Sequence, residues 1–294
     1  TRADRLYGIP AGGTMAHSWI QMFDDEYEAF KTYAELYPEM STFLVDTYDT
    51  LRSGVPNAIK VIKEVLEPNG HKKCAIRIDS GDLTYLSKQA RRMLDEAGLS
   101  HCKIVASNAL DEYLIRALLN QGAPIDIFGV GERLITSKSD PVFGGVYKLT
   151  AIERNGSVIP KIKISDNPEK ITNPHFKKLY RIYDKKTHQA YADLLTVYNE
   201  TLDEEKPLTL FDPTHTWQKR TFTDYYVRNL LIPIFKGGKR VYDLPSLEAV
   251  KAHAQKELSS LWEEVKRFDN PHEYYVDLSE KLWKAKYNLI KRHR

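Results

Sequence analysis

Between residues 42 and 134, short apolar runs alternate with longer amphipathic ones, the pattern of consecutive βα units built on a parallel sheet. The runs at 42–45, 74–78, 103–106 and 125–128 are the predicted strands. Between them, apolar residues recur at helical spacing: Val55, Ile59, Ile62 and Leu66, then Leu86, Ala90, Met93 and Ala97, then Leu110, Leu114, Ala117 and Leu118. Gly98 and Gly122 fall just past the last periodic residues, where a left-handed C-cap is wanted. After residue 134 the texture changes. Apolar runs at 146–152 and 158–164 flank Asn155-Gly156 and predict an antiparallel hairpin. A polar loop with two prolines at 165–174 and a strand at 179–183 follow, then helices expected over 246–268 and 278–290. The division this suggests is an α/β barrel part over 1–150 that carries the strand ends. A hairpin and strand region with C-terminal helices then fills 151–294, with the boundary falling between 140 and 165.

Composition changes little in this picture. The 294 residues, 42% of them hydrophobic, can bury a barrel-sized core, and a net charge of +3 gives no warrant for a nucleic-acid or membrane partner. The basic run of the last helix (Lys281, Lys284, Lys286, Lys291, Arg292, Arg294) reads as a solvated face. Cys74 and Cys102 open apolar strands and are expected as buried, reduced thiols. No apolar run approaches the roughly 18 residues a membrane span needs, and no basic-then-apolar leader is present, so a cytoplasmic location is the expectation. The chain lacks an initiator Met and opens directly into a strand-like segment, as though an upstream part were missing.

In a parallel α/β barrel, reacting groups come from the C-terminal ends of the strands, where the following loops converge. Each predicted strand ends in that character: Asp46 and Asp49 after the first, Arg77 and Asp79-Ser80-Gly81-Asp82 at the second, Ser107-Asn108 after the third, Gly129-Val130-Gly131 after the fourth. Each also has a plainer reading. Asn108 would serve equally as the N-cap of the next helix, the glycine pair as a tight turn, and the Asp79–Asp82 stretch as a hydrophilic turn. Arg77 alternates with Ile76 and Ile78, and a charge at that depth requires a partner, either an anionic ligand or an internal carboxylate, Asp46 or Asp79. His17 sits just after Gly12-Gly13-Thr14 at what reads as a strand end, and Asp46 is placed to hold one ring nitrogen and orient the other.

Taken in order, GTMAHSW, LVDTYDTL, IRIDSGDL, VASNALDE and FGVGERL, continued by PKIKISDNPEKI, resemble the nicotinate phosphoribosyltransferase family. The resemblance is strong over residues 4–185 and weaker beyond. It implies the type II phosphoribosyltransferase fold, an irregular TIM-like α/β barrel with a second domain. The implied reaction joins nicotinate to phosphoribosyl pyrophosphate and yields nicotinate mononucleotide and pyrophosphate, with coupled ATP hydrolysis. On the same ground His17 is the expected phosphohistidine, with Asp46 holding its opposite nitrogen, and Arg77 the partner of the nicotinate carboxylate. Asp79, in the turn with Ser80 and Gly81, would hold the ribose hydroxyls, and Ser107, Asn108, Gly129 and Gly131 the 5′-phosphate. ATP and Mg2+ are the implied cofactors, the magnesium carried on pyrophosphate and water with no dedicated protein ligands. The implied partners are a second copy in a homodimer and the N-terminal segment that full-length members carry upstream. The adjacent carboxylate pair of the other phosphoribosyltransferase class is absent, which suits the type II assignment. The rival readings are a type II enzyme taking nicotinamide or quinolinate, and a catalytically silent scaffold barrel. Quinolinate would need more cations and no phosphohistidine, and a scaffold has no use for His17, Arg77 and Asp79 together.

Overall fold

The four apolar runs of the N-terminal half become parallel strands of one sheet, β1 (Ser41–Leu44), β2 (Cys74–Ile78), β3 (Lys103–Ala106) and β4 (Ile127–Phe128), ordered β1-β2-β3-β4. They belong to the first of two units into which this computed structural model divides, Thr1–Gly144 and Gly145–Arg294. Residues 2–167 and 170–293 are described, so Pro168 and Glu169 of the polar loop and Arg294 of the basic run lie outside them. The helices of this unit are α1 (Arg2–Tyr7), α2 (His17–Gln21), α3 (Glu26–Leu36), α4 (Val55–Val61), α5 (Leu83–Glu96), α6 (Glu112–Asn120) and α7 (Glu132–Ile135). The fold class is α/β. Among the described residues the sheet is open, with β1 and β4 at its edges.

Local chemistry explains the boundaries. Asp82 and Asp111 accept the amides of Tyr85 and Leu114 at 3.0 and 2.8 Å, so both are the N-caps of their helices. The third helix therefore begins after Leu110, and Asn108 is not its cap. The opening segment is the helix α1 and not a strand, and residues 8–16, with Pro10, Gly12 and Gly13, form no regular element. Phe30, Phe43, Leu44, Ile76, Ile104 and Leu94 form a core fully removed from solvent, each contributing about 1.5–3 kcal/mol by burial. Cys74 and Cys102 are buried and free, as expected.

The return from β1 is unusually tight. A helical run over 50–69 contains α4 and is wound wider at Thr50–Gly54 and Ile62–Leu66. It starts where Asp49 caps the amides of Leu51 and Arg52 at 3.1 and 2.8 Å. Gly54 lies against the backbone just beyond β1: a Cβ there would stand 1.9 Å from the Val45 carbonyl oxygen. Its φ is an ordinary −60°, so close approach and not backbone conformation requires glycine. The buried Glu26 of α3 steadies the same turn by accepting from Ser53 Oγ at 2.5 Å and Asn57 Nδ2 at 3.1 Å, and burial pushes its carboxyl above the usual range.

In the second unit, the hairpin shrinks to β5 (Ala151–Arg154) and β6 (Ser157–Pro160), because the residues around it find no strand partner. The main sheet holds β7 (Lys177–Asp184), β8 (Ala190–Val197), β11 (Tyr225–Asn229) and β14 (Val276–Leu278) in the order β11-β7-β8-β14. β9 (Leu208–Phe211) pairs with β10 (Lys219–Phe222), and β12 (Phe235–Lys236) with β13 (Lys239–Arg240). The helices are α8 (Leu247–Ser259) and α9 (Glu280–His293). The helix expected over 246–268 thus stops about halfway, where Ser260 gives its carbonyl to the Ala190 amide at 2.8 Å and the chain turns toward β14. Ile182, Ala192, Leu194, Leu210 and Tyr225 form the main core of this unit. The basic run of α9 is more engaged than a solvated face: Lys286 bonds Asn173 Oδ1 at 2.8 Å and Lys281 bonds Asn199 Oδ1 at 3.0 Å.

Two outcomes follow from this architecture. Alanine at Gly54 would gain about 1 kcal/mol of helix propensity, but a contact of 1.9 Å to a backbone oxygen forces the sheet or the helix to move. Gly54→Ala is therefore expected to lose at least about 2 kcal/mol net in urea denaturation; an unchanged midpoint would show that the turn is slack. In the second unit, Asp277 is 7% exposed, and burial followed by the charge of Asp212 pushes its carboxyl up to about 6. A raised carboxyl binds its proton more tightly in the folded state. Its stabilising share is present below about pH 4 and lost as pH rises through 6. Asp277→Asn should flatten that slope and raise stability at pH 7 by something on the order of 2–3 kcal/mol, read from denaturation at pH 4, 6 and 7.

Candidate active site

Parallel register sets the site. Leu44 pairs with Arg77, Ile78 with Ala106, and Ala106 with Phe128. One or two residues past each pairing, Asp46, Asp79, Ser107 and Gly129 therefore stand in one row across the C-terminal edge of the sheet. Backbone bonds extend the ladder to that row: Val45 N–H to Arg77 O at 3.0 Å, Ser107 N–H to Ile78 O at 3.0 Å and Gly129 N–H to Ala106 O at 2.8 Å.

Asp46 is the centre of the row. Its carboxylate, 2% exposed, accepts from His17 Nε2 at 3.1 Å through one oxygen. Through the other it accepts from the Asp79 amide at 2.8 Å and Ser80 Oγ at 2.6 Å. A carboxylate only accepts, so Nε2 carries a proton, and in the neutral ring Nδ1 keeps the lone pair. His17 is 39% exposed. It is not at a strand end as the sequence suggests but is the first residue of α2, entered from the extended Ala16.

Arg77 is held and yet unsatisfied. Nη1 donates to Thr14 Oγ1 and, at 3.3 Å, to the Met15 carbonyl. Nη2 stands 3.8 Å from Asp79 Oδ2, beyond hydrogen-bonding range, and Nε is buried with no partner. Asp46 does not pair with it. The guanidinium thus has a neighbouring carboxylate but keeps donor capacity for a planar anion. Asp79 itself accepts the Ser107 hydroxyl.

Beyond the row, Asn108 and Ala109 take left-handed backbone, φ 86° and 46°, as does Gly81 at 78°. The Gly129 amide is already used by Ala106, so this residue offers closeness and no donor: a Cβ there would meet Ser107 Cβ at 3.4 Å. Gly131 enters α7, accepting from the amides of Leu134 and Ile135 at 3.1 and 3.2 Å. Arg133 of that turn pairs with Asp111, whose carboxyl is held below the usual range by the Leu114 amide and then by Arg133. Sequence reading missed Thr14, Thr47 and Arg133. Thr47 keeps a buried hydroxyl with no partner beside Asp46. The signal for Thr14 was its place in the same short motif as His17. A cavity of about 570 Å3 lies between Gly13-Thr14 and Tyr33–Met40; it shares Thr14 with the site but contains neither His17 nor any residue of the row.

Asp46→Ala would leave three donors without their acceptor. It should cost about 2–4 kcal/mol in chemical denaturation, since each deserted polar group costs about 1–3 kcal/mol and His17 and Ser80 can turn to water. A loss under about 0.5 kcal/mol would mean that the carboxylate does not organise the row.

Residues 176–286 match the family model described as the nicotinate phosphoribosyltransferase C-terminal domain. Over 98% of its length the chain is 48% identical to nicotinate phosphoribosyltransferase of Bacillus subtilis (strain 168), covering 58% of that protein. It is 36% identical over 97% of its length to the Dictyostelium discoideum enzyme of the same name, covering 56% of it. The chain thus spans a little over half the length of these curated relatives. The crystal structure of human nicotinic acid phosphoribosyltransferase superposes with a TM-score of 0.73 at 25% identity, over 98% of this chain and 64% of that one. Nicotinate-nucleotide pyrophosphorylase from Pyrococcus furiosus shares the fold, with a TM-score of 0.60 at 22% identity, over 88% of this chain and 57% of that one. With near-complete alignment, a match to the family's C-terminal model and the superposition on the human enzyme, the chain belongs to the nicotinate phosphoribosyltransferase family.

Proposed function

We propose that the protein containing this chain joins nicotinate to phosphoribosyl pyrophosphate, forming nicotinate mononucleotide and pyrophosphate, with ATP hydrolysis coupled through His17. The observation that carries this reading is the His17–Asp46 pair at the end of the row, 3.1 Å apart, with the acceptor fixed by two further bonds. Holding Nε2–H leaves the Nδ1 lone pair as nucleophile. That nitrogen would take the γ-phosphoryl group as ADP departs, and Asp46 would stabilise the positive charge on the phosphorylated ring. Arg77, with donor capacity left over, would receive the nicotinate carboxylate. Asp79 would accept from the ribose hydroxyls, and Ser107, Asn108 and Gly131 would hold the 5′-phosphate, with Gly129 allowing its close approach.

Bond exchange at the anomeric carbon needs no enzyme nucleophile. Nicotinate nitrogen forms the new bond as pyrophosphate leaves with the bonding pair, so the residues of the row act by positioning and charge. Magnesium, when bound, neutralises the pyrophosphate, and it keeps most of its water and substrate oxygens. Among the described residues no group of three or more His, Cys, Asp or Glu gathers within metal-binding reach. The remainder of the protein and a second subunit would complete the contacts to base and phosphates.

The test is nicotinate mononucleotide formation by the complete gene product, with and without ATP, beside His17→Asn and Arg77→Lys variants. His17→Asn should keep a slow basal reaction and lose the ATP stimulation. Arg77→Lys should raise KM for nicotinate by about 10–100-fold, the weight of a charge-assisted bond pair. ATP stimulation surviving in His17→Asn, or product from nicotinamide in place of nicotinate, would overturn the reading.

A further inference from the structure

The second unit carries a cavity of about 490 Å3 that the reaction does not use, between the face of the β7–β11 ladder and the C-terminal end of α8. Register builds its wall. Tyr183 pairs across the strands with Tyr226, and Arg181 with Arg228, so two residues along the same face an aromatic pair is followed by an arginine pair. Like charges directly opposite one another are unfavourable. One carboxylate bridges them: Glu257 of α8 accepts from Arg181 Nη1 at 3.0 Å and Arg228 Nη2 at 2.6 Å. Arg181 is further paired with Asp193 through two bonds of 2.8 and 3.0 Å, so it is satisfied.

Positive charge remains at the cavity itself. Among the described residues Arg228 has one carboxylate partner, which it shares with Arg181, and Lys256 is exposed with no acidic partner. His188 lines the same space and bonds the Tyr226 hydroxyl through Nδ1 at 3.3 Å. The end of α8 would repel an anion through its bare carbonyls, but Ser259 and Ser260 donate to the Lys256 and Glu257 carbonyls at 2.8 and 2.7 Å and blunt that effect. Independent of these charges, Tyr183 lines the cavity at 4% exposure, and its buried hydroxyl finds no hydrogen-bond partner of good geometry. A phenol so placed costs stability unless something bonds it.

We infer that this cavity binds an organic phosphate of nucleotide size, its phosphate held by Arg228, Lys256 and His188, and its flat ring held against the Tyr226 side. The volume is that of a small-molecule site and far exceeds what a bare phosphate fills. The stacked rings of Tyr183 and Tyr226, 5.0 Å apart and 9° from parallel, with His188 edge-on at 5.8 Å, supply the aromatic wall. The cavity shares no residue with the row at the parallel sheet, so the inference does not rest on the reading of His17.

The test is calorimetric titration of the full-length protein with a nucleoside monophosphate in an Asp79→Ala, Ser107→Ala background, which removes ribose and phosphate contacts of the row and no residue of this cavity. One binding event should remain. Lys256→Glu and Arg228→Gln should each weaken it by about tenfold or more, as loss of a charge-assisted contact does. Circular dichroism reports whether each variant folds, and the exposed Lys256 carries the test if Arg228→Gln does not. No binding, binding indifferent to both substitutions, or inorganic phosphate binding as tightly as the nucleotide would overturn the inference. Because those contacts of the row are already removed, failure of the nicotinate reading leaves these isotherms as they are.

Discussion

One buried carboxylate organises the N-terminal unit. An ionised group at 2% exposure costs several kcal/mol unless its lone pairs are met, and Asp46 meets that demand with donors from a helix start, a loop amide and a loop hydroxyl. The loop after β2 is thereby fixed to the end of β1, and His17 is brought to the same point from a segment with no regular structure before it. The ladder bonds of Val45, Ser107 and Gly129 keep the strand ends level. Level ends are what allow four short polar motifs, far apart in sequence, to form a single row.

Two arginines, each on a strand among apolar neighbours, show how satisfaction separates structure from chemistry. Arg181 has a bidentate partner in Asp193 and a second carboxylate in Glu257, and these bonds hold its charged form more firmly than usual. It is a fastener. Arg77 has a hydroxyl, one carbonyl and a carboxylate at 3.8 Å, with Nε buried and unmet. A fold that can satisfy one arginine so fully has no general difficulty in doing so. The shortfall at Arg77 is therefore the stronger functional signal, stronger than the charge alone that the sequence displays.

Much of the parallel sheet was legible because its signals are local. β2 and β3 fall where the apolar runs lie, and Asp82 and Asp111 cap the helices that periodicity predicts. What escaped depends on distance or on competition. Nothing in GTMAHSW distinguishes a strand end from a helix start, since the choice is made by Asp46 gripping His17 across 29 positions. Asn108 looks like a cap, but Asp111 is better placed and takes the role, leaving Asn108 in left-handed backbone. The helix over 246–268 is cut short by the Ser260 carbonyl bonding the start of β8, a long-range pairing that no local propensity reports. The strand read at 179–183 is the middle of β7, but β11 and β14 went unread for the same reason, since they join β7 and β8 across long separations, and the exposed faces of this sheet hold polar and aromatic residues that blur the alternation.

The basic residues make the same point about charge. In sequence the lysines of the last helix are the conspicuous cluster, yet the structure absorbs several of them. Lys286 is committed to Asn173, and Lys284 to Glu280 one turn away. Burial pushes the Lys286 and Lys177 amines below their ordinary range, and Lys177 answers by donating to the carbonyls of Asn173 and His175 at 2.8 and 2.7 Å. Those cations need no partner. The charges that do are scattered in sequence, at Arg228 and Lys256, and come together only because an arginine pair across two strands is bridged by a single glutamate. Cationic character points to a ligand where the fold has gathered it beside a cavity and left it under-neutralised, and a run of lysines along one helix meets neither condition.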